Sequence, residues 1–577
     1  MRHPRSDYLC SVNPTTRLIP GNRIILLAFA VSFLWLLLTG CHVFQYKEST
    51  GITEDSGPRA IIPRPVSLEW KRGAFIFDAD TVIFASPELN RTADFIANHL
   101  HRAAGFTITV LPLTSQKSSG SIMLVMDDLP DQFGDEAYRL SISPRRIIIS
   151  ARHNHGAFNA FQTLRQMLPD SIENREPSDA DVWSVPCVEI LDYPRFSWRG
   201  YMLDSARHYQ TPDEIRRILD LLALHKINRF HWHLVDDQGW RLEIPEYPGL
   251  TSTAAFRPNA NAFLNYRPSE VSDHYGGYYS RDDIRSLVSF AAERHITIVP
   301  EIEMPGHTLA VLMAHPELSC SGKTPSQTGE TWIYKDVYCA GNDAVFVFLE
   351  NVLDVVFELF PSPWIHVGGD EVPKDRWREC PRCRARIHSE GLRDETELQS
   401  YFMRRIEKYL HQHDRKLIGW DDIMEGGLSP SATIQTYREP RYGIEAANRG
   451  NNVIFSTHLY VYFDYSHEGT PVEKTYSFDP VTEEIQPDAL GNILGIEACQ
   501  WLGNVSRRHL ENTGEIMPVK NIEYQSFPRL LALSEIAWSP RALRDWNDFR
   551  ARLKIYKTRL DKLGVNYFHS PELTDDP

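Results

Sequence analysis

The chain has 577 residues, a formal net charge of -15, 42% hydrophobic and 24% charged residues, and 37 prolines. That length is too great for one ordinary core and predicts about two to four domains. The composition excludes a disordered or fibrous chain, and acidity without long like-charge runs excludes a nucleic-acid binder.

The first residues differ from the rest. Arg2, Arg5, Arg17 and Arg23 precede the apolar run Ile24 to Leu38, which is followed by Thr39-Gly40-Cys41. As a helix this run would be about 22 Å long, short of a hydrocarbon core of about 30 Å, so it reads as an export signal. Leu38-Thr39-Gly40-Cys41 resembles a bacterial lipobox, which implies cleavage before Cys41, lipidation of that cysteine and membrane attachment. His42 is not the aspartate of inner-membrane retention, so the resemblance points to an outer-membrane lipoprotein; an uncleaved signal anchor is the alternative. Residues 1–41 are thus expected as leader and 42–60 as a polar tether. Export permits disulfides. Cys320 and Cys339 bracket a loop and could pair, whereas Cys380-Pro381-Arg382-Cys383 could be a strained disulfide, a metal half-site or two thiols. No second CxxC follows, so a structural zinc has little support.

From residue 61 to 192, short alternating runs such as Tyr138 to Ser143 mix with helical patterns at Ala93 to Ala103 and Gly156 to Met167, predicting a non-catalytic α+β domain. From 193 to 545, strands are expected near 199–204, 229–234, 296–301, 363–368, 416–420, 432–436, 452–456 and 493–498. Amphipathic helices separate them at Pro212 to His225, Arg281 to Arg294, Ala344 to Phe360 and Glu397 to His411. Strands alternating with helices in this way imply a (β/α)8 TIM barrel. Closing helices are expected from Glu523 to Trp538 and Leu543 to Leu563, with residues 546–577 forming the terminal helix and tail.

A barrel of this kind carries its site where strands end. The first strand carries Arg199 and Asp204; the second runs from His231 to Arg241; the third ends in Glu301, Glu303 and His307. The fourth, Trp364 to Gly369, ends in Asp370-Glu371, and later ends bring Trp420, Tyr437, Tyr462, Asp464 and Trp501. Adjacent acids after two glycines can split their proton affinities, as acid/base chemistry requires. Helix capping would also place acids there. Carboxylates among indoles describe a sugar pocket better than a catalytic metal, so no metal or cofactor is expected. Acids from one wall are poorly placed to attack and protonate from opposite faces. Either another strand end supplies the nucleophile, with Asp236 or Glu303 available, or the substrate supplies its own.

His366 to Glu371, His231 to Trp240, Glu301 to His307, Trp198-Arg199-Gly200 and Phe527 to Leu530 resemble glycoside hydrolase family 20, the β-N-acetylhexosaminidases, over residues 61 to 540. The resemblance implies exo-acting removal of terminal N-acetylglucosamine or N-acetylgalactosamine from glycans, with retention through an oxazolinium intermediate. It implies Glu371 as general acid/base, Asp370 orienting the acetamide, Tyr462 donating to the acetamide oxygen, and Asp236 and His307 as a relay behind the acid. It likewise implies Arg199 and Asp464 on sugar hydroxyls, with Trp420 and Trp501 as pocket walls. The family has tryptophan where Tyr437 stands and glutamate where Gly503 stands, which suggests a substituted or galacto-configured sugar. The same departures motivate the rival reading, a sugar-binding surface lipoprotein that has lost turnover.

Overall fold

The computed structural model describes residues 60–573, apart from 106, 115–118, 175–182, 258–274, 326–332, 428 and 504–518. The expected leader, Cys41 and the tether up to residue 59 lie outside the described residues.

The first part is a mixed sheet of seven strands in the order β1-β7-β5-β6-β4-β2-β3. These are Ser67–Ile76, Val82–Ala85, Thr109–Pro112, Ser121–Met126, Tyr138–Ile142, Arg146–Ala151 and Ser184–Asp192, numbered in chain order. In β5 the alternation predicted from sequence puts Tyr138, Leu140 and Ile142 inward. Helices Asn90–Ala104 and Asn154–Met167 pack on the sheet, with Ile96, Leu100, Phe161 and Leu164 sharing a core with Ile122, Leu140 and Ile149. Helix Asn154–Met167 is buried on nearly every side. Its second face meets the barrel, where Phe158 joins the barrel core and the Gln166 amide donates to Leu224 O at 3.2 Å.

Eight parallel strands then close a barrel: Trp198–Asp204, Arg229–His233, Thr297–Glu301, Trp364–His366, Lys416–Trp420, Thr433–Thr436, Val453–Phe455 and Ile493–Gln500. All eight match the strands expected from the sequence. Helices Pro212–Leu224, Arg281–Glu293, Asp343–Leu359 and Glu395–Gln412 form as predicted, and the Thr211/Glu214 capping box is made. The expected helix from Glu523 to Trp538 is instead two, Val519–Ser526 and Arg529–Trp538, broken at Pro528. A proline ring excludes the preceding residue from helical geometry and removes one donor.

At the N-terminal end of the barrel, Trp198, Val299, Ile418 and Ile454 form an apolar layer, one residue from each of the alternate strands. The same end is riveted to the sheet domain. Asp192, the last residue of β7, accepts from Tyr138 Oη at 2.6 Å, Lys226 Nζ at 2.8 Å and Trp538 Nε1 at 2.9 Å. The Lys226–Asp192 pair is wholly buried, so each charge depends on the other.

Cys320 and Cys339, possible partners from the sequence, are not joined in a disulfide. The six cysteines among the described residues are free thiols, and Cys320, Cys339, Cys380 and Cys383 converge.

Candidate active site

The fourth barrel strand stops at His366, and the backbone then turns sharply. Gly368, Gly369 and Glu371 have φ of 63°, 92° and 49°. Glycine is required at 368 for a second reason: a Cβ there would lie 1.6 Å from Glu303 Oε2. Three neighbours fix the turn. Trp420 N–H donates to Gly368 O at 2.9 Å, the Gln399 amide donates to Gly369 O at 2.7 Å, and Asp422 accepts from the Glu371 N–H. The turn separates the two acids, since the Asp370 side chain is 12% exposed whereas that of Glu371 is 41% exposed.

Both acids line a cavity of about 200 Å³, together with Arg207, Asp236, His307, Tyr437, Tyr462, Asp464, Tyr465, Trp501 and Gly503. His307, itself at φ 50°, stands behind the acids. Its Nε2 lies 3.7 Å from Asp370 Oδ2 and 3.6 Å from Glu371 Oε2, while its Nδ1 lies 3.4 Å from Asp236 Oδ1 and 3.3 Å from Asp237 Oδ2. Burial pushes the Asp370 carboxyl up to about 7, with Glu371 adding to the rise against the pull of His307. Burial opposes the charge on His307, but Asp236 and Asp370 outweigh it and hold the imidazole well above its ordinary range. Asp236 is held well below the carboxylate range, because Arg207 and His307 outweigh its burial. Burial raises the Tyr437 and Tyr462 hydroxyls, which therefore remain neutral donors.

Behind His307 a run of acids and imidazoles continues down the barrel. Asp236 Oδ2 meets His233 Nε2 at 3.0 Å, and His233 Nδ1 meets Glu301. Glu301 also contacts His231 Nε2 at 3.0 Å and His366 Nδ1 at 2.8 Å. His231 Nδ1 in turn meets Glu497 Oε1 at 2.7 Å, where Gln435 Nε2 donates at 2.7 Å. Glu301 and Glu497 raise His231 to about 9 despite its burial. Glu301 is shared among three imidazoles, while His231 Nε2 and His366 Nε2 have no well-aligned hydrogen bond of their own.

The structure brings Glu371, Asp370, His307, Asp236, Tyr462, Tyr437, Asp464 and Trp501 to one cavity. It removes Arg199 from it. Arg199 is the second residue of the first strand, about 17 Å of chain before Asp204, at the opposite end of the barrel. There its guanidinium is buried against Glu136 of the sheet domain, with Nη1 at 3.1 Å, and Nε donates to Lys226 O at 2.8 Å. The arginine in the cavity is Arg207, whose Nη2 is 2.6 Å from Asp236 Oδ2 and whose guanidinium lies 5.1 Å from the Trp501 ring centre. Its sequence signal was its position, three residues past the C-terminal end of the first strand. Tyr465, one residue beyond Asp464, is a second lining residue that the pattern did not mark.

Two further expectations change. Trp420 is not a wall of the cavity but stands behind it, 1% exposed, with rings 5.7 Å from Tyr437 and 5.8 Å from Trp501 and its indole donating to Glu301 Oε1 at 2.9 Å. Glu303 is unavailable as a nucleophile because it is buried beneath Gly368. Asp236 faces the cavity but is committed to Arg207 and His233.

Comparison with known proteins agrees with this architecture. Residues 196–541 match the model of the glycosyl hydrolase family 20 catalytic domain, and residues 59–193 match that of glycosyl hydrolase family 20 domain 2. The chain is 38% identical to a β-hexosaminidase of Porphyromonas gingivalis over 89% of its own length, and it spans 64% of that relative. It is 32% identical to a β-hexosaminidase of Vibrio furnissii, covering 85% of this chain and 78% of the relative. Among solved structures, a family 20 exo-β-N-acetylglucosaminidase from Vibrio harveyi in complex with N-acetylglucosamine superposes with a TM-score of 0.77 at 30% identity, over 88% of this chain and 78% of that one. The chain belongs to glycosyl hydrolase family 20, a glycoside hydrolase among β-hexosaminidases.

Proposed function

We propose that the protein is an exo-acting, retaining β-N-acetylhexosaminidase in which the substrate's own acetamide is the nucleophile. One observation carries this reading: a buried and an exposed acid leave the same turn, so both act from one face of the cavity. In the first step the acetamido carbonyl oxygen attacks the anomeric carbon and the glycosidic C–O bond breaks. Glu371 delivers its proton to the departing oxygen while the amide N–H donates to Asp370, which offsets the positive charge of the oxazolinium. Tyr462 donates to the attacking oxygen's neighbourhood, and Arg207 and Asp464 hold sugar hydroxyls. In the second step Glu371, now a carboxylate, takes a proton from water, the water oxygen bonds to the anomeric carbon, and the ring of the intermediate opens. Two displacements give net retention.

Replacing the N-acetyl group of an aryl glycoside by progressively fluorinated acyl groups weakens the internal nucleophile and should lower kcat by about tenfold or more across the series. An unchanged rate would overturn acetamide participation. Glu371→Gln should lower turnover of unactivated glycosides by about 10²–10⁴-fold, and by less when the leaving group needs no proton. Absence of release from every N-acetylated glycoside would instead favour a binding protein.

We infer further that Tyr437 and Gly503 adapt the cavity to a sugar that is substituted or galacto-configured, since Gly503 presents no side chain at the rim. Plain, galacto and 6-substituted aryl glycosides compared side by side test this; a strong preference for plain N-acetylglucosamine overturns it. We also propose lipid attachment at Cys41 and outer-membrane placement, supported by the lipobox resemblance. Lipid labelling lost in Cys41→Ala supports the anchor, and labelling retained there rejects it.

A further inference from the structure

Away from the cavity, four cysteines from two segments meet. Cys380 immediately precedes helix Pro381–Ser389 and Cys383 lies in its first turn, so their spacing of three turns both side chains to one side. Cys320 and Cys339 each follow one residue of an antiparallel bridge, Ser319 opposite Tyr338, which lays two distant stretches side by side. The segments touch backbone to backbone: a Cβ on Gly341 would lie 2.2 Å from the Arg382 carbonyl carbon.

The sulfur geometry is that of a shared centre rather than of pairs. A disulfide gives each sulfur one partner at about 2.05 Å. Here Cys339 Sγ is 3.7 Å from both Cys380 and Cys383, Cys383 Sγ is also 3.8 Å from Cys320, and all four sulfurs lie within 4.8 Å of one another. Four thiolates around zinc at about 2.3 Å form a tetrahedron with edges of about 3.8 Å. Cys339 and Cys383 are wholly buried and Cys380 is 4% exposed. Thiols buried against thiols are poor hydrogen-bond partners, and thiolates so placed need a cation. Arg382, which donates to Ser319 O at 2.9 Å, sets one positive charge at the rim.

We propose that Cys320, Cys339, Cys380 and Cys383 bind one Zn²⁺ as a closed, four-thiolate structural site. The ion leaves no open position, so it takes no part in the hydrolysis. Its place in the fold defines its role: it ties the segment after the third barrel strand to the segment after the fourth. Tyr338 N–H donates to Pro305 O at 3.0 Å, and Trp377 Nε1 donates to Tyr338 O at 2.9 Å. Pro305 is two residues from His307, and Trp377 follows the turn that carries Glu371. The absence of a second CxxC had argued against such a site; the strand bridge supplies the second pair instead.

The test is elemental analysis of the full chain, purified without added metal or affinity-metal resin, together with a thiol count and disulfide mapping. The expected result is one zinc per chain, no disulfide among the four cysteines, and zinc released in step with thiol modification. Replacement by Co²⁺ should produce intense thiolate-to-cobalt charge transfer with tetrahedral ligand-field bands. Cys380→Ser/Cys383→Ser should lose the metal and melt at lower temperature, whereas Cys187→Ser should keep one zinc. Mapped disulfides, bound iron, or a metal-free protein that cobalt leaves colourless would each overturn the proposal, and these readings on the unmodified chain hold even if the double variant fails to fold.

Discussion

At residue 370 stability and activity oppose each other. Its carboxyl sits near pH 7 in the fold against 3.8 in the free side chain, chiefly because it is buried. Between those values the native state holds a proton that the unfolded chain releases, so the contribution of Asp370 to stability falls as pH rises from about 4 to about 7. Asp370→Asn should therefore melt about 2–4 °C above the parent at pH 8, with the advantage shrinking toward pH 4.5, while kcat falls about 10²-fold or more. Calorimetry against pH beside kinetics checks both halves. The two arginines give a matched pair. Arg207→Lys keeps the charge that Asp204 and Asp236 face and should raise KM by about tenfold or more with a smaller loss of stability than its counterpart, since an ammonium cannot reproduce the planar fork. Arg199→Met should leave KM alone but destabilise by about 3–5 kcal/mol, because Glu136 loses its buried partner. Asp370 and Glu371 were legible in the sequence because glycines and adjacency mark them. Arg199 misled because a motif shows which residues recur together, not which end of a strand they occupy.

At the scale of elements, short apolar runs located all eight barrel strands, and the helical period located four of the helices between them but not the short helix Pro440–Asn448. What periodicity could not reach were contacts made by irregular segments. The cysteine cluster depends on an isolated bridge between residues 319 and 338, and the helix break depends on the single residue Pro528. The turn after the fourth strand is equally irregular, and it is where geometry is least forgiving. Gly368→Ala places a methyl carbon on the Glu303 carboxylate in a left-handed backbone. It should lower kcat by about 10²-fold while circular dichroism retains the barrel; full activity in this variant would show that the turn has room to relax.

For the whole molecule, the sheet domain carries no lining residue of the cavity among the described residues, but it packs on the N-terminal end of the barrel. Asp192 and Glu136 neutralise Lys226 and Arg199, and helix Asn154–Met167 is buried between the two parts. A barrel expressed from residue 193 onward would leave two cations unpaired and expose the surface that Phe158 covers. It should be insoluble or lose cooperative melting, whereas co-expression with residues 60–192 should restore both; a soluble, active barrel alone would refute this coupling.

The acid–imidazole run from His307 to Glu497 has one more consequence. In most barrels the interior is inert aliphatic packing that can be exchanged without touching the chemistry. Here the groups that fill the barrel axis above its apolar layer also run up to the imidazole of His307 that faces Asp370, through His231, Glu301, His233 and Asp236. Even Gly200 is part of this arrangement, for a Cβ there would lie 2.2 Å from Glu497 Oε2. Above the apolar layer, the barrel's interior is therefore continuous with the cavity, and a substitution there reaches His307 through contacts already made.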